Sequence, residues 1–339
     1  MTRLTDAQIL YFEPPAPRGA PKPEQGRRIR SHITVYTLPA SLPVGPIRTF
    51  SQRHALRRNA AFIRAVTEQH RFRTPVLWCT SPEQAGLIGR VPCRGIVYDC
   101  HHEWSDEYVE QESDLTSHAE VVFAASPGLV QRLSPCNDNI ALLPNGVSPI
   151  MFLRDDFVPP EHLSYLSGRP VLGRVGDITG QMNLKPILTA AAEQPNWAFL
   201  LIGRTTKTAH DLLSAHQNII LAGPVNAAEL PDYLSLCTIL FDLTRSDQRG
   251  CDILPARIYE YLATGKPIVM MAEPDFVEPY PDVIYTAFDS TGFLRRCRKA
   301  LSENTEELSP LRKAYAEQAA WSARAAEIER ILESTGLFH

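Results

Sequence analysis

The chain has 339 residues, enough for two domains of ordinary size. Its 34 basic and 38 acidic side chains leave a net charge of −4, which excludes wholesale nucleic-acid binding, while 44% hydrophobic against 21% charged residues is the balance of a soluble globular protein. Seven scattered cysteines with no C-x-x-C exclude a closed zinc site and predict reduced thiols in a cytoplasmic setting; no apolar run reaches the roughly 18 residues of a membrane span, and the first residues have no signal core.

In chain order, residues 9–12 read as a short strand that stops at Glu13-Pro14-Pro15. Residues 13–28, rich in Pro, Gly and charge, predict no regular element. A second strand covers 34–38. From 50 to about 70 the pattern is helical, with Leu56, Phe62, Ile63 and Val66 on one side and Arg53, His54, Arg57, Arg58, Arg64 and His70 largely on the other. That basic side is a solvated face or, as the second reading, a contact with acidic lipid. Strands at 76–79 and 96–99 follow, the latter running into Cys100-His101-His102-Glu103-Trp104. A helix over 106–119, a strand over 121–125, a Ser126-Pro127 helix start and a strand over 141–143 lead to Pro144-Asn145-Gly146-Val147, where Asn-Gly makes a sharp reversal cheap.

The second half repeats the strand-helix alternation. Strands are predicted at 171–175, running into a turn at Gly176, at 197–203, at 219–224 and at 238–242. Asn226 with Glu229 predicts a capping box. The run Asp252 to Pro267 is the most informative. Pro255 suits a helix start; Ile258, Tyr261 and Leu262 form an apolar face from which Glu260 points away; Gly265 and Pro267 end the helix. The buried strand Ile268-Val269-Met270-Met271-Ala272 follows, and the open N–H groups at the helix start favour phosphate. A single long helix is predicted over 310–332.

Asp252, Glu260, Arg257 and the run Ala263-Thr264-Gly265-Lys266-Pro267-Ile268 resemble the donor-site helix of the family-4-like glycosyltransferases of GT-B fold, in particular those of the teichuronic-acid type. The resemblance implies an α/β protein of two Rossmann-like domains whose parallel sheets face a cleft. It divides the chain into an acceptor-side domain at 1–147, a nucleotide-sugar domain at 148–309, and a C-terminal helix at 310–339 packing back on the first domain. The first strand here resembles the family's second, so the leading strand–helix unit is expected to be absent. One side of strand 9–12 or of a neighbour would then be unpaired, the first domain would be the less stable, and nucleotide would bind better than sugar is transferred.

The resemblance also implies roles. Glu260 would bind ribose hydroxyls and Asp252 would face the sugar or its phosphate. His102 would approach donor and acceptor, beside His101, a structural strand-end histidine being the alternative. Asn145 and Gly146 would form the hinge. Gly176, Gly203, Arg204 and Val225 would line the donor site. The family's Arg/Lys diphosphate clamp is missing, with Asp177 and Met182 at those positions, so Arg257, Arg245 and Arg249 are expected to replace it and Arg174 less so. The implied activity is retaining, metal-independent transfer of a sugar from a UDP- or GDP-linked donor, a substrate and not a cofactor, to a glycan or lipid-linked acceptor in surface polysaccharide synthesis. The implied site is the cytoplasm or the inner face of the membrane. A nucleotide-sugar epimerase of the same fold and a non-catalytic nucleotide-binding subunit are the alternatives.

Overall fold

The computed structural model describes residues 7–15, 26–41, 50–152, 156–179, 182–243, 252–272, 277, 279–280, 283–303 and 305–337. They form two compact units, one of 1–144 with 324–339 and one of 145–323.

The first unit contains strands β1 (Ile9–Glu13), β2 (Arg27–Arg30) and β3 (Ile33–Thr37), helix α1 (Phe50–Gln69), strands β4 (Val76–Cys79) and β5 (Gly95–Cys100), helix α2 (Val109–His118), strand β6 (Val121–Ala124), helix α3 (Pro127–Leu133) and strand β7 (Ile140–Leu142). Strands β4-β5-β6-β7 make a parallel sheet in sequence order, while β1-β3-β2 make a separate three-stranded sheet. Among the described residues β1 pairs only with β3, and β4 only with β5. Each is therefore an edge strand of its sheet among the described residues; Ala7 packs against both the cluster of Ile9, Ile33 and Val35 and that of Val97, Val121 and Phe123. Strand β2 was not expected. Its four residues Arg27, Arg28, Ile29 and Arg30 are all exposed, so no apolar alternation announces it; pairing with the buried β3 imposes it. Helix α1 buries Leu56, Asn59, Ala60, Ile63 and Val66 and exposes its arginines.

The second unit begins with strand β8 (Val171–Val175) and continues through helix α4 (Lys185–Glu193), strand β9 (Ala198–Ile202), helix α5 (Lys207–Leu213), strand β10 (Ile219–Gly223), helix α6 (Leu230–Ser235), strand β11 (Ile239–Asp242), helix α7 (Ala256–Thr264), strands β12 (Ile268–Met271) and β13 (Ile284–Ala287), and helix α8 (Ser290–Leu301). Its six strands are parallel in the order β10-β9-β8-β11-β12-β13. The chain winds outward from β8 in one direction and from β11 in the other. The switch in winding lies between their carboxyl ends, where open α/β sheets bind ligands.

Two expectations change. The capping box at Asn226 and Glu229 does not form: helix α6 starts at Leu230, and Glu229 N–H bonds to Asn226 O. A helix begun at Asn226 would have placed Pro231 where an N–H is needed. The long C-terminal helix is two helices, α9 (Thr305–Gln318) and α10 (Trp321–Ser334). Val147 N–H bonds to Ala319 O at 2.9 Å and Trp321 N–H to Val147 O at 3.2 Å, so the chain is extended where it meets the start of the unit. Residues 310–323 thus belong to the second unit, whereas Ala325, Ile328 and Leu332 of α10 pack on Val97, Val121 and Phe123 of the first.

Candidate functional site

Helix α7 is held by burial. Ile258, Tyr259, Tyr261, Leu262 and Ala263 are all buried, at about 1.5–3 kcal/mol for each large apolar side chain. The Tyr261 hydroxyl accepts the Val175 N–H at 2.7 Å, tying the helix to the end of β8. Gly265 ends the helix at φ 71°, where a Cβ would lie 2.1 Å from Ser309 Oγ. Pro255 stands just before the helix, and the preceding Leu254 carbonyl accepts the Asn145 side-chain amide at 3.0 Å. The predicted hinge residue therefore supports the loop that delivers α7. Gly146 is required by space: a Cβ there would meet Ala319 O at 2.8 Å.

On the opposite face of α7, Arg257 and Glu260 are partly buried one turn apart. Glu260 accepts no hydrogen bond from a described residue; burial pushes its carboxyl above the usual range, and the Arg257 charge only partly offsets this. Arg257 donates through Nε to Asp242 Oδ2. Burial works against the Arg257 charge, and Asp242 more than restores it.

The loops after β8, β9 and β10 are laced backbone to backbone. Gly176 N–H bonds to Ile202 O at 2.9 Å and Gly203 N–H to Gly223 O at 2.9 Å. Gly203 has φ 152°, and a Cβ there would lie 2.3 Å from Gly176 O, so only glycine lets the two turns touch. Gly176 has φ 117°; a Cβ added to it would stand 3.8 Å from both Arg257 Cδ and Arg174 Nη1. Two arginines therefore border the open side of this turn.

Arg174, the less favoured of the clamp candidates, is central. It is 3% exposed, its Nη1 donates to Gly176 O at 2.9 Å, and its Nε lies 3.7 Å from Asp242 Oδ1. Burial lowers its pKa, and Asp242 counters the shift. Asp242, fully buried at the end of β11, escaped the sequence reading. The signal was present: Asp closes the apolar run Ile239-Leu240-Phe241, and Arg interrupts Val171-Leu172-Gly173.

Other expected residues are placed differently. Arg204 is 79% exposed and its guanidinium is paired with Asp177 at 2.7 Å, an ion pair that lowers the Asp177 pKa. Its charge is thus shared with Asp177. Val225 is partly buried against the core beyond β10. Asp252 is exposed ahead of α7. Arg245 and Arg249 lie outside the described residues. A cavity of about 290 Å³ near the C-terminal end of α7, lined by Pro231, Leu234, Ala263 and Lys313, includes none of the predicted residues.

In the first unit, β5 delivers His101 and His102. His101 Nδ1 donates to Asp99 O at 3.2 Å. The two imidazoles lie 4.3 Å apart, and Trp104 and Tyr108 continue the aromatic row. His102 is exposed; partial burial and then the neighbouring His101 lower its pKa, so it is neutral at pH 7 and can donate or accept one hydrogen bond. Behind it, Glu112 is 2% exposed and accepts from the Tyr98 hydroxyl and Arg132 Nη2, both at 2.9 Å. Among the described residues no group of three or more His, Cys, Asp or Glu is gathered as a metal site.

No family model matches the chain. It is 25% identical over 291 residues to a Bacillus subtilis (strain 168) protein named as the teichuronic acid biosynthesis glycosyltransferase TuaH, covering 77% of this chain and 72% of the relative. Among solved structures it is similar to Anabaena Alr3699/HepE in complex with UDP and glucose, with TM-score 0.64, 15% identity, and 89% and 86% of the two chains covered. It is also similar to the E. coli trehalose-6-phosphate protein bound with UDP-2-fluoro glucose, with TM-score 0.70, 11% identity, and 97% and 94% covered. The structural likenesses show that the chain has the GT-B fold.

Proposed function

We propose that the protein is a retaining, metal-independent glycosyltransferase that moves a sugar from a nucleotide-sugar to a glycan or lipid-linked acceptor in surface polysaccharide synthesis. The observation that carries the reading is Glu260: a partly buried carboxylate with no hydrogen bond from any described residue, one turn beyond Arg257, which itself borders the Gly176 turn at the switch point of the sheet. Leaving such a group unpaired costs stability, and two ribose hydroxyls would satisfy it. Arg257 and the N-terminus of α7 supply positive charge for the diphosphate, and that charge grows in value as the leaving oxygen departs. Asp252 and His102 are assigned to the sugar and acceptor, His102 as a neutral hydrogen-bonding group. The surface-polysaccharide role follows the name of the Bacillus relative, and the UDP-containing neighbours favour a UDP-linked donor.

The exposed Arg53, Arg57, Arg58 and Arg64 of α1, against the single acid Glu68, support a peripheral contact with the cytoplasmic membrane face. Failure to sediment with anionic vesicles at low salt would remove that contact. An epimerase is the second reading, because the fold also resembles a Listeria monocytogenes chain named as a UDP-N-acetylglucosamine 2-epimerase, with TM-score 0.55 and 10% identity, covering 85% and 80% of the two chains.

A panel of nucleotide-sugars incubated with and without a cell-envelope lipid extract separates the two. Acceptor-dependent release of nucleoside diphosphate with a retained anomeric linkage is expected. Isomerised sugar, or nucleotide freed without acceptor, would replace the transferase reading by the epimerase.

A further inference from the structure

We propose that Asp242 is a positioning residue for the donor diphosphate: from the end of β11 it fixes Arg257 through Nε, so that the site requires an arginine, and not merely a cation, at position 257. The inference rests on the reading of the second unit as a nucleotide-sugar site and adds what holds its phosphate-binding group in place.

The argument starts from the sheet. Strands β8 and β11 are hydrogen-bonded neighbours although a long stretch of chain separates them, and near the carboxyl end of each stands an ionisable side chain, Arg174 and Asp242. Arg174 and Asp242 are 3% and 0% exposed. Burying ions at the carboxyl end of a strand is expensive, and a well-packed apolar pair there would be the more stable choice.

Nor does Asp242 simply neutralise Arg174. Their nearest atoms, Nε and Oδ1, are 3.7 Å apart, beyond hydrogen-bonding distance, and neither atom has another partner. The hydrogen bond goes instead from Arg257 Nε to Asp242 Oδ2. Asp242 thus stands between two arginines beside a glycine turn with no Cβ to cover it.

The chemistry of the guanidinium makes the bond specific. Its five N–H donors lie in one plane. Engaging Nε fixes that plane and leaves Nη1 and Nη2, which donate to no described acceptor, as a paired fork matched to two phosphate oxygens. Lysine at 257 would keep the charge but have no Nε, and Asp242 would attract its single ammonium inward, away from the phosphates. Without Asp242, Arg257 would keep its charge and lose its orientation.

Titration calorimetry on the full chain tests this, with UDP, GDP, UMP and GMP as ligands and the variants Arg257→Lys, Arg257→Gln, Asp242→Asn and Asp242→Asn/Arg257→Lys. Wild type should bind one nucleoside diphosphate more tightly than its monophosphate. Arg257→Lys should lose diphosphate affinity on the order of tenfold or more, nearly as much as Arg257→Gln, while monophosphate affinity changes little. Asp242→Asn should reproduce the loss with Arg257 present, and the double variant should be no worse than either single one, because both remove the same orientation. An Arg257→Lys protein with wild-type diphosphate affinity, or additive losses in the double variant, would overturn the positioning role while leaving the nucleotide-sugar reading intact. A wild type that binds none of the four nucleotides overturns both. If Asp242→Asn fails to fold, Arg257→Lys with Asp242 intact decides alone.

Discussion

Among the described residues the second unit buries two arginines, and they are treated in opposite ways. Arg312, on α9, is fully buried and finished: Nε donates to Val283 O at 2.9 Å, and Nη1 and Nη2 grip Glu303 at 2.7 and 2.8 Å. The Tyr285 hydroxyl completes Glu303. Arg174 is almost as buried but unfinished, with its Nε and the facing Asp242 Oδ1 both lacking partners. A completed buried network holds secondary structure together, and nothing further needs to bind it. An incomplete one at the carboxyl ends of adjacent strands leaves hydrogen-bonding capacity for a ligand.

The largest way to break this contrast is Arg312→Met. It strands Glu303 in the core and should cost about 3–5 kcal/mol in chemical denaturation, with nucleotide affinity of the folded protein unchanged. A stability near wild type would show that burial and bonding around Arg312 are not what secures α9.

Next comes Glu260→Ala, which should weaken nucleotide-sugar binding by roughly 1.5–3 kcal/mol for each hydroxyl bond lost, read by calorimetry. Stability should move the other way or not at all. Burial raises the Glu260 pKa, so the folded protein holds its proton more tightly than the unfolded chain does. Its favourable contribution to stability is present in acid and is lost as pH rises past the ordinary carboxylate range. At neutral pH the carboxylate is a liability unless ligand is bound, and Glu260→Gln should be at least as stable as wild type there. Nucleotide affinity should also fall on acidification at a pH above the usual carboxylate range, and this sensitivity should vanish in Glu260→Gln. A wild-type protein whose affinity is flat down to that range would refute the ribose assignment.

Arg174→Met sharpens the contrast at smaller scale. It removes a less complete set of bonds than Arg312 makes, so the loss should be about 1–2 kcal/mol. Equal losses for the two arginines would mean that the missing bonds at Arg174 are of no consequence. The smallest expected effect is that of EDTA: turnover should be unchanged, because arginine and helix-terminal N–H groups supply the diphosphate's counter-charge. Activity abolished by chelation and restored by Mg²⁺ or Mn²⁺ would overturn that.

Helix α7 was legible because its signals are local. Pro255, the spacing of Ile258, Tyr261 and Leu262, and Gly265 each act within a few residues. The strands of the second sheet were legible because parallel strands buried on both faces read as apolar runs. What failed depends on distant partners. Strand β2 is a basic edge that only β3 makes into a strand. The break between α9 and α10 is set by Val147. Arg174 meets Asp242 only because the winding order places β11 beside β8. Arg204 looked like a cation at a strand end, as Arg174 does, and only coordinates show which of the two Asp177 takes.

The bridge between Val147 and Ala320 has a topological consequence. The second unit leaves the first after Pro144 and returns at Arg324, and the two passages are hydrogen-bonded to each other. Its ends therefore meet, as those of an inserted domain do. A fragment of residues 145–320 carries the whole six-stranded sheet, α7 and the arginine cluster with its termini already side by side. It can be excised as one piece, or its ends fused and new ones opened elsewhere, without cutting any strand of that sheet.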